Sequence, residues 1–274
     1  MNRRALLLGL AACACGHGAQ PGSFGQAALA IARGAGQPTL DAVWSEGELV
    51  RLAALLREAL ERAPERGPAS VFAEVLFGQL GFVREVTDTS LRFVLLPSVL
   101  RARRGNCVGL GTLVIALAEM LGKTAHGVLM PGHFYVRFEE RGQQTNMELL
   151  RRGEAMSDAW YAGRFPIPGG AAAEYARPLS QREARGVIEY DVGNERKRQR
   201  RLEDARAAYA RSAALFPDLA EAHASLGATL QILGRFDEAA ASYARARAAN
   251  PNLPGLAWNG ALLEQERASK AGHQ

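Results

Sequence analysis

In the first part of the chain, leucines recur at the spacing of one helix face. The leucines that share one face are Leu49, Leu52, Leu55, Leu56 and Leu60. With arginine and glutamate on the opposite face, they predict an amphipathic helix over residues 47–63. Pro68 suits the first turn of a second helix, which runs to Leu80. A third, short helix is predicted after Leu95 and should end at Gly105.

The next segment is almost entirely apolar. A helix that begins near Cys107 offers little polar surface, which indicates that it lies at the centre of a domain. A strand then opens at His133, where larger apolar side chains alternate with His133, Tyr135 and Arg137. Because successive side chains of a strand point to opposite faces, His133 is predicted to lie on the more polar face.

A second strand supplies two polar side chains on one face. After a turn at residues 140–143, Asn146 and Glu148 are separated by one residue and therefore point the same way. A nucleophile at a helix start, a base on a strand and an orienting group on the next strand can assemble a cysteine-histidine-acid site. Cys107 and His133 would fill the first two positions, and either Asn146 or Glu148 could accept the imidazole N–H.

Residues after position 178 repeat at an interval of 34. Gly193, Ala205, Tyr209 and Pro217 reappear as Gly227, Ala239, Tyr243 and Pro251. This period and these residue types are typical of tetratricopeptide (TPR) repeats, and residues 256–266 would form a capping helix. Such repeats predict a protein or peptide ligand, although two of them could instead only complete a core. Since the array is short, we expect it to pack against the first domain.

The overall composition indicates a globular protein of two modest domains. The chain has 274 residues, 48% of them hydrophobic, and a net charge of +5. Much of the positive charge lies in residues 195–201, and acidic neighbours that include Glu189 and Asp191 dilute it. We interpret this run as the solvated face of a helix, and expect no nucleic acid partner.

The N-terminus resembles an export signal. Two arginines precede the apolar residues 5–12, which are too few to span a bilayer as a helix. The sequence Leu10-Ala11-Ala12-Cys13 resembles the bacterial lipobox, which implies a signal peptide over residues 1–12 and a lipid anchor at Cys13. Because Ala14 rather than aspartate follows, we expect an outer-membrane anchor facing the periplasm. The alternative to an export signal is a frayed N-terminal helix. Residues 13–42 are predicted to form a flexible tether.

Cysteine usage leaves several fates open for Cys107. In the first turn of a helix, free backbone N–H groups and the positive dipole end favour the thiolate. Burial in apolar surroundings would instead leave an inert thiol. A disulfide between Cys15 and Cys107 would block the thiol. A metal site formed by Cys107, His126 and His133 is a weaker alternative, because the spacing of these residues matches no closed zinc pattern. We expect no cofactor and no metal.

Several motifs together resemble one known family. They are Arg103-Arg104-Gly105-Asn106-Cys107, the apolar helix to Gly122, Met130-Pro131-Gly132-His133-Phe134-Tyr135-Val136-Arg137 and Met147-Glu148. They resemble the SirB1-type branch of the transglutaminase-like superfamily. The resemblance implies a papain-like α+β domain over residues 43–178, with a small antiparallel sheet and a central helix. The 34-residue period predicts that an all-α TPR domain follows over residues 179–274.

The same resemblance implies the roles of the site residues. Cys107 would be the nucleophile, His133 the general base and then acid, and Glu148 the orienting acid, where the family usually has aspartate. The expected function is cysteine-dependent acyl transfer or hydrolysis on an envelope protein or peptide. Since many SirB1-type relatives lack the cysteine, the alternative is a non-catalytic envelope scaffold that binds a partner through its repeats.

Overall fold

The computed structural model describes residues 22–36, 39–169 and 172–271. Most of the described chain is helical, and the central sheet is small. The helices are α1 Phe24–Gly34, α2 Thr39–Arg62, α3 Pro68–Phe72, α4 Leu96–Ala102, α5 Cys107–Met120, α6 Asp158–Arg164, α7 Gln181–Arg198, α8 Leu202–Leu215, α9 Ala220–Ile232, α10 Phe236–Ala249 and α11 Leu256–Ala271. A π-helical segment, Ala73–Gln79, directly follows α3.

The main sheet is antiparallel and its strands follow chain order. They are β3 Thr124–Met130, β4 His133–Glu140, β5 Gln143–Glu148 and β6 Glu154–Met156. A separate parallel pair joins β1 Val83–Arg84 to β2 Arg104–Gly105. The mixed architecture therefore has the small antiparallel sheet that the sequence predicted.

Helix α5 lies in the middle of this first part, packed against β3 and β4. All its residues from Val108 to Ala118 are buried. Gly111 faces the ring of Phe134 on β4, where an added Cβ would lie 2.5 Å from the ring. A glycine is required because the helix and the sheet approach each other so closely. The prediction of a buried central helix is confirmed.

Helix α1 corrects the prediction of a flexible tether for residues 13–42. Ser23 caps the helix by accepting from Gln26 N–H, and Phe24 and Leu29 are buried in the main core. The backbone N–H of Phe24 also donates to Glu119 on α5 at 2.8 Å. The alanine-rich segment orders because it finds an apolar surface on α5 and α7.

One further prediction needs correction. Helix α4 ends at Ala102, and Arg103 rather than Gly105 takes the left-handed conformation, with φ of 46°. Gly105 instead belongs to β2, where an added Cβ would lie 3.1 Å from Leu110. His133 lies on the face of β4 that carries Tyr135 and Arg137, as predicted, but both faces are buried from His133 to Phe138. Helix α5 covers one face of β4, and aromatic residues of the α6 region cover the other.

The C-terminal helices form two antiparallel pairs, α7 with α8 and α9 with α10, followed by α11. Gly193 packs against the ring of Tyr209 in the first pair, and Gly227 packs against Tyr243 in the second. Side chains of α7 and α8 share the main core with α1 and α5. The expectation that the C-terminal helices pack against the first domain is confirmed.

Helix α7 is less solvated than its charge suggested. Glu189 and Glu195 are buried, and both oxygens of Glu189 accept from Arg211 at 2.9 Å. Within the run interpreted as a solvated face, residues 198–201 are exposed as predicted, whereas Glu195 is buried and Arg196 and Lys197 are half-buried. Helices α1 and α8 cover the rest of α7.

No helix within residues 22–36, 39–169 and 172–271 has the length and apolar character needed to cross a membrane. The predicted signal peptide and the lipid anchor at Cys13 lie outside the described residues.

Candidate active site

Cys107 is the first residue of α5. Asn106 caps the helix, and its side-chain oxygen accepts the N–H of Gly109 at 2.8 Å. The N–H groups of Cys107 and Val108 have no carbonyl partner within the helix, as is general for a first helical turn. The helix start thus presents a thiol together with two backbone donors.

His133 and Glu148 form a buried pair across the sheet. His133 Nε2 and Glu148 Oε2 are 2.7 Å apart, and the two residues are 5% and 1% exposed. The other carboxylate oxygen of Glu148 accepts the N–H of Leu150 at 2.9 Å. The ring of Phe165 stacks on the imidazole with a centroid distance of 4.2 Å. Because Nε2 is held by Glu148, Nδ1 is the ring nitrogen left for a reacting group.

Asn146 does not contact His133 but belongs to a neighbouring cluster. Its Oδ1 accepts from Arg137 Nε at 2.7 Å, and its amide donates to Asp158 at 2.7 Å. Arg137 also pairs with Asp158 and donates to Tyr135 at 3.1 Å. Of the two residues that the sequence left open as the orienting group, Glu148 is the one bonded to the imidazole.

The thiol of Cys107 keeps some exposed surface on a cleft, although protein atoms surround its sulfur. This burial, together with the charges of Asp191 and Glu148, raises the pKa of Cys107 to about 12. The backbone N–H groups of Phe134 and Val108 point at the sulfur and act in the opposite direction. Burial outweighs them, so the free protein holds a thiol, contrary to the thiolate that the helix start alone predicted.

Cys107 and His133 line the same cleft, whose volume is about 470 Å³. Its far wall comes from the C-terminal helices and includes Tyr190, Asp191 and Glu221. Sequence reasoning missed this wall, because no motif or spacing links α7 and α9 to Cys107. Phe165 was missed for the same reason.

Residues 44–183 match the sequence profile of the transglutaminase-like superfamily. The match spans half of the chain and contains Cys107, His133 and Glu148. The chain belongs to the transglutaminase-like superfamily.

Other comparisons add little to this assignment. No curated protein matches the chain. Among solved structures, the chain is similar to menin, in a crystal structure whose title says that it reveals the binding site for the Mixed Lineage Leukemia (MLL) protein. The TM-score is 0.36 and the identity 12%, over 82% of this chain and 69% of the menin chain.

The remaining histidine considered from the sequence lies apart from the cleft of the transglutaminase-like domain. His126 Nδ1 is 3.3 Å from the carbonyl oxygen of Leu179. Within the described part of the chain, no three or more side chains of histidine, cysteine, aspartate or glutamate are grouped so that they could hold a metal ion. The cleft brings together the Cys107 thiol and the imidazole of His133, which is bonded to the buried carboxylate of Glu148.

Proposed function

We propose that this protein is a cysteine-dependent acyltransferase or hydrolase that acts on a protein or peptide. The hydrogen bond of 2.7 Å between His133 and the buried Glu148, in a cleft shared with the Cys107 thiol, is the observation that carries the proposal. A buried carboxylate beside an imidazole fixes its tautomer and stabilises its protonated form. Membership of the transglutaminase-like superfamily supports the same chemistry.

The first half-reaction begins with a neutral thiol, since burial holds the pKa of Cys107 high. His133 Nδ1 takes the thiol proton while the sulfur attacks the carbonyl carbon of an amide or ester. Glu148 stabilises the imidazolium that forms. His133 then returns the proton to the departing amine or alcohol, and the acyl group remains on Cys107 as a thioester.

The second half-reaction regenerates the thiol. Water or an amine enters, His133 removes its proton, and the acyl group leaves as an acid or as a new amide. The negative oxygen of each tetrahedral intermediate needs donors. The backbone N–H of Cys107, which the helix does not use internally, is the donor we assign to it.

The finer parts of the proposal concern family branch, partner and location. We place the chain in the SirB1-type branch and assign the C-terminal helices to TPR repeats, which would bind the protein or peptide partner. The repeated contacts of Gly193 with Tyr209 and of Gly227 with Tyr243 support the repeat assignment. The lipobox-like sequence ending at Cys13 supports a lipid anchor in the bacterial outer membrane, facing the periplasm.

The test uses a full-length variant in which Cys13 and Cys15 are replaced by serine, so that Cys107 is the only thiol. This parent protein is mixed with p-nitrophenyl acetate, and acylation is followed by p-nitrophenolate release and by intact mass. Loss of the general base in His133→Ala should slow acylation of Cys107 about 100-fold or more. His126→Ala is the matched control and should react like the parent.

The non-catalytic scaffold is the competing function. It predicts that the parent and His133→Ala acylate at equal, slow rates. It also predicts that Cys107→Ser leaves a partner complex of the C-terminal helices intact. Equal rates in the two proteins would refute the proposed chemistry.

A further inference from the structure

The cleft around Cys107 is acidic although the chain carries a net charge of +5. The described residues that line it include four carboxylates, Glu85, Asp88, Asp191 and Glu221, and no lysine or arginine. A cleft with one sign of charge concentrates ligands of the opposite sign. The four carboxylates differ, however, in how many hydrogen bonds and ion pairs they make with other residues of the protein.

The two carboxylates on the outer loop are engaged locally. Glu85 accepts the N–H groups of Thr87 and Asp88 and pairs with Arg104 at 3.3 Å. Asp88 accepts the N–H of Ser90 at 2.8 Å. These bonds shape the loop, and neither group is left needing a ligand.

Among the described residues, no lysine or arginine pairs with the two carboxylates on the C-terminal helices. Glu221 accepts a hydrogen bond from Tyr175, but its Oε2 is buried and makes no hydrogen bond. Asp191 has a small exposed surface on the cleft, and only Asn194 bonds its carboxyl. Burial accordingly raises the pKa of Asp191 to about 7 and also raises the pKa of Glu221.

The arginine at the edge of this cleft is held by other partners. Arg198, on the same helix as Asp191, contacts Thr89 of the cleft lining and Glu195. A positive charge from outside the chain would therefore meet a desolvated site with unused acceptors, where a charge-assisted hydrogen bond is strongest.

We propose that Asp191 and Glu221 form a subsite for a positively charged group of the substrate, an ammonium or a guanidinium, beside the reacting acyl group. This inference rests on the proposed function, because it assigns substrate selectivity to the cleft of the Cys107 nucleophile. Helices α7 and α9 would then recognise the charged group of the substrate, whereas α5 and β4 carry the reacting residues Cys107 and His133. An organic cation suits the site better than a metal ion, since the described residues contain no metal-binding group of acidic, histidine or cysteine side chains.

The subsite can be tested with thiol reagents of opposite charge, without knowledge of the natural substrate. Trimethylammonioethyl and sulfonatoethyl methanethiosulfonate are applied to the parent protein whose only thiol is Cys107. In each case the Cys107 sulfur attacks the thiosulfonate sulfur, a mixed disulfide forms, and methanesulfinate leaves. The rates are measured at one pH well above 7, where Asp191, with its pKa of about 7, is ionised. Their ratio cancels the thiolate fraction of Cys107 and reports the charge preference of the cleft.

The cationic reagent should react faster than the anionic one by about tenfold or more, because a focused field changes association by at least that factor. In the double variant Asp191→Asn and Glu221→Gln the ratio should fall several-fold towards the ratio for a free cysteine. The amides keep the size of both side chains and the acceptor for Tyr175. Glu203→Gln, which neutralises an exposed carboxylate on α8, is the matched control and should keep the parent ratio.

A parent ratio equal to that of a free cysteine would overturn the subsite, as would a ratio that the double variant leaves unchanged. Neither result bears on catalysis, which the neutral ester tests through His133→Ala. A different outcome separates the two proposals. If the ratio of cationic to anionic reagent is high and depends on Asp191 and Glu221, but His133→Ala acylates at the parent rate, the cation subsite is supported and the enzymatic function is refuted. The two proposals can therefore fail independently.

Discussion

Glu148 divides its two carboxylate oxygens between the imidazole of His133 and the backbone N–H of Leu150. The second bond fixes the rotation of the carboxylate, so the first reaches the ring in one geometry. A glutamate has one more methylene than the aspartate expected at this position. The turn at Leu150, which follows directly after β5, takes up the extra length by binding the far oxygen.

The first prediction concerns this carboxylate. In Glu148→Gln, the amide group can donate to His133 Nε2, which would move the ring proton to Nδ1 and remove the base. A neutral amide also cannot stabilise the imidazolium. We expect acylation of Cys107 by p-nitrophenyl acetate to slow about 100-fold or more, in line with the effect of a wrong tautomer in serine triads.

Glu154→Gln is the matched control for Glu148→Gln. Glu154 lies on the neighbouring strand β6, is exposed, and pairs only with Arg151 among the described side chains. It should acylate at the parent rate. Comparable losses in both variants would show that sheet stability, rather than the ring tautomer, controls the reaction.

At the residue scale, the sequence determined the cysteine, the histidine and the strand that carries the acid. It could not choose between Asn146 and Glu148, because both lie on the same face of β5. Arg137 decided the choice, since it is buried directly across from Asn146 and binds its carbonyl oxygen. A buried guanidinium needs acceptors, and Asn146 with Asp158 provides them.

At the element scale, the contact that repeats in the C-terminal helices is a glycine against a tyrosine ring. A Cβ at Gly193 would lie 2.5 Å from the Tyr209 ring, so any larger residue pushes α7 away from α8. Tyr209 cannot easily turn aside, because its hydroxyl donates to Asn194 at 2.8 Å. The helix pair is therefore specified by shape as well as by apolar area.

The second prediction follows from this contact. Gly193→Ala should lower the free energy of unfolding by about 1 to 3 kcal/mol, as overpacking does in other cores. The matched control is Gly163→Ala on α6, where an added Cβ meets nothing within 4 Å. There the alanine should be neutral or stabilise by up to about 1 kcal/mol through helix propensity. Urea unfolding followed by circular dichroism measures both, and equal effects would contradict the packing argument.

Helix α2 and the repeat helices were predicted from the spacing of their apolar residues, whereas α1 was missed. Residues 14–37 were interpreted as a tether because they are rich in glycine, alanine and glutamine. Helix α1 nevertheless carries Phe24, Ala28, Leu29 and Ala32 at helical spacing behind the cap Ser23. The helix is stable because Phe24 and Leu29 reach a core built by α5 and α7, far along the chain. The pattern of residues along a segment indicates only its intrinsic conformational preference. Most of the stability of a short helix comes from tertiary packing.

At the scale of the whole molecule, one hydrophobic core joins the transglutaminase-like part to the first C-terminal helices. Leu29 on α1, Leu113 on α5 and Val187 on α7 belong to the same buried cluster. A second cluster, formed by α9, α10 and α11, lies towards the C-terminus. Since cores unfold as units, the boundary of cooperative unfolding should fall within the C-terminal helices and not before them.

The third prediction tests this boundary by hydrogen exchange with mass spectrometry. Amides of α5 and α7 should exchange with the same opening free energy, because they share one core. Amides of α11 should exchange faster, since that helix is packed on one side only and leaves Trp258 73% exposed. An α7 that exchanges as fast as α11 would show that the C-terminal helices unfold independently of the first part.

The sequence by itself determined the cysteine at a helix start, the histidine and glutamate on adjacent strands, and the paired helices that follow. These features depend on residue types and short spacings, which local backbone geometry turns directly into structure. Only the tertiary structure decided the charge state of Cys107 and the acidic wall that faces it. Both depend on α7 and α9 packing across the cleft, because desolvation and the sum of charges are set by residues distant in sequence.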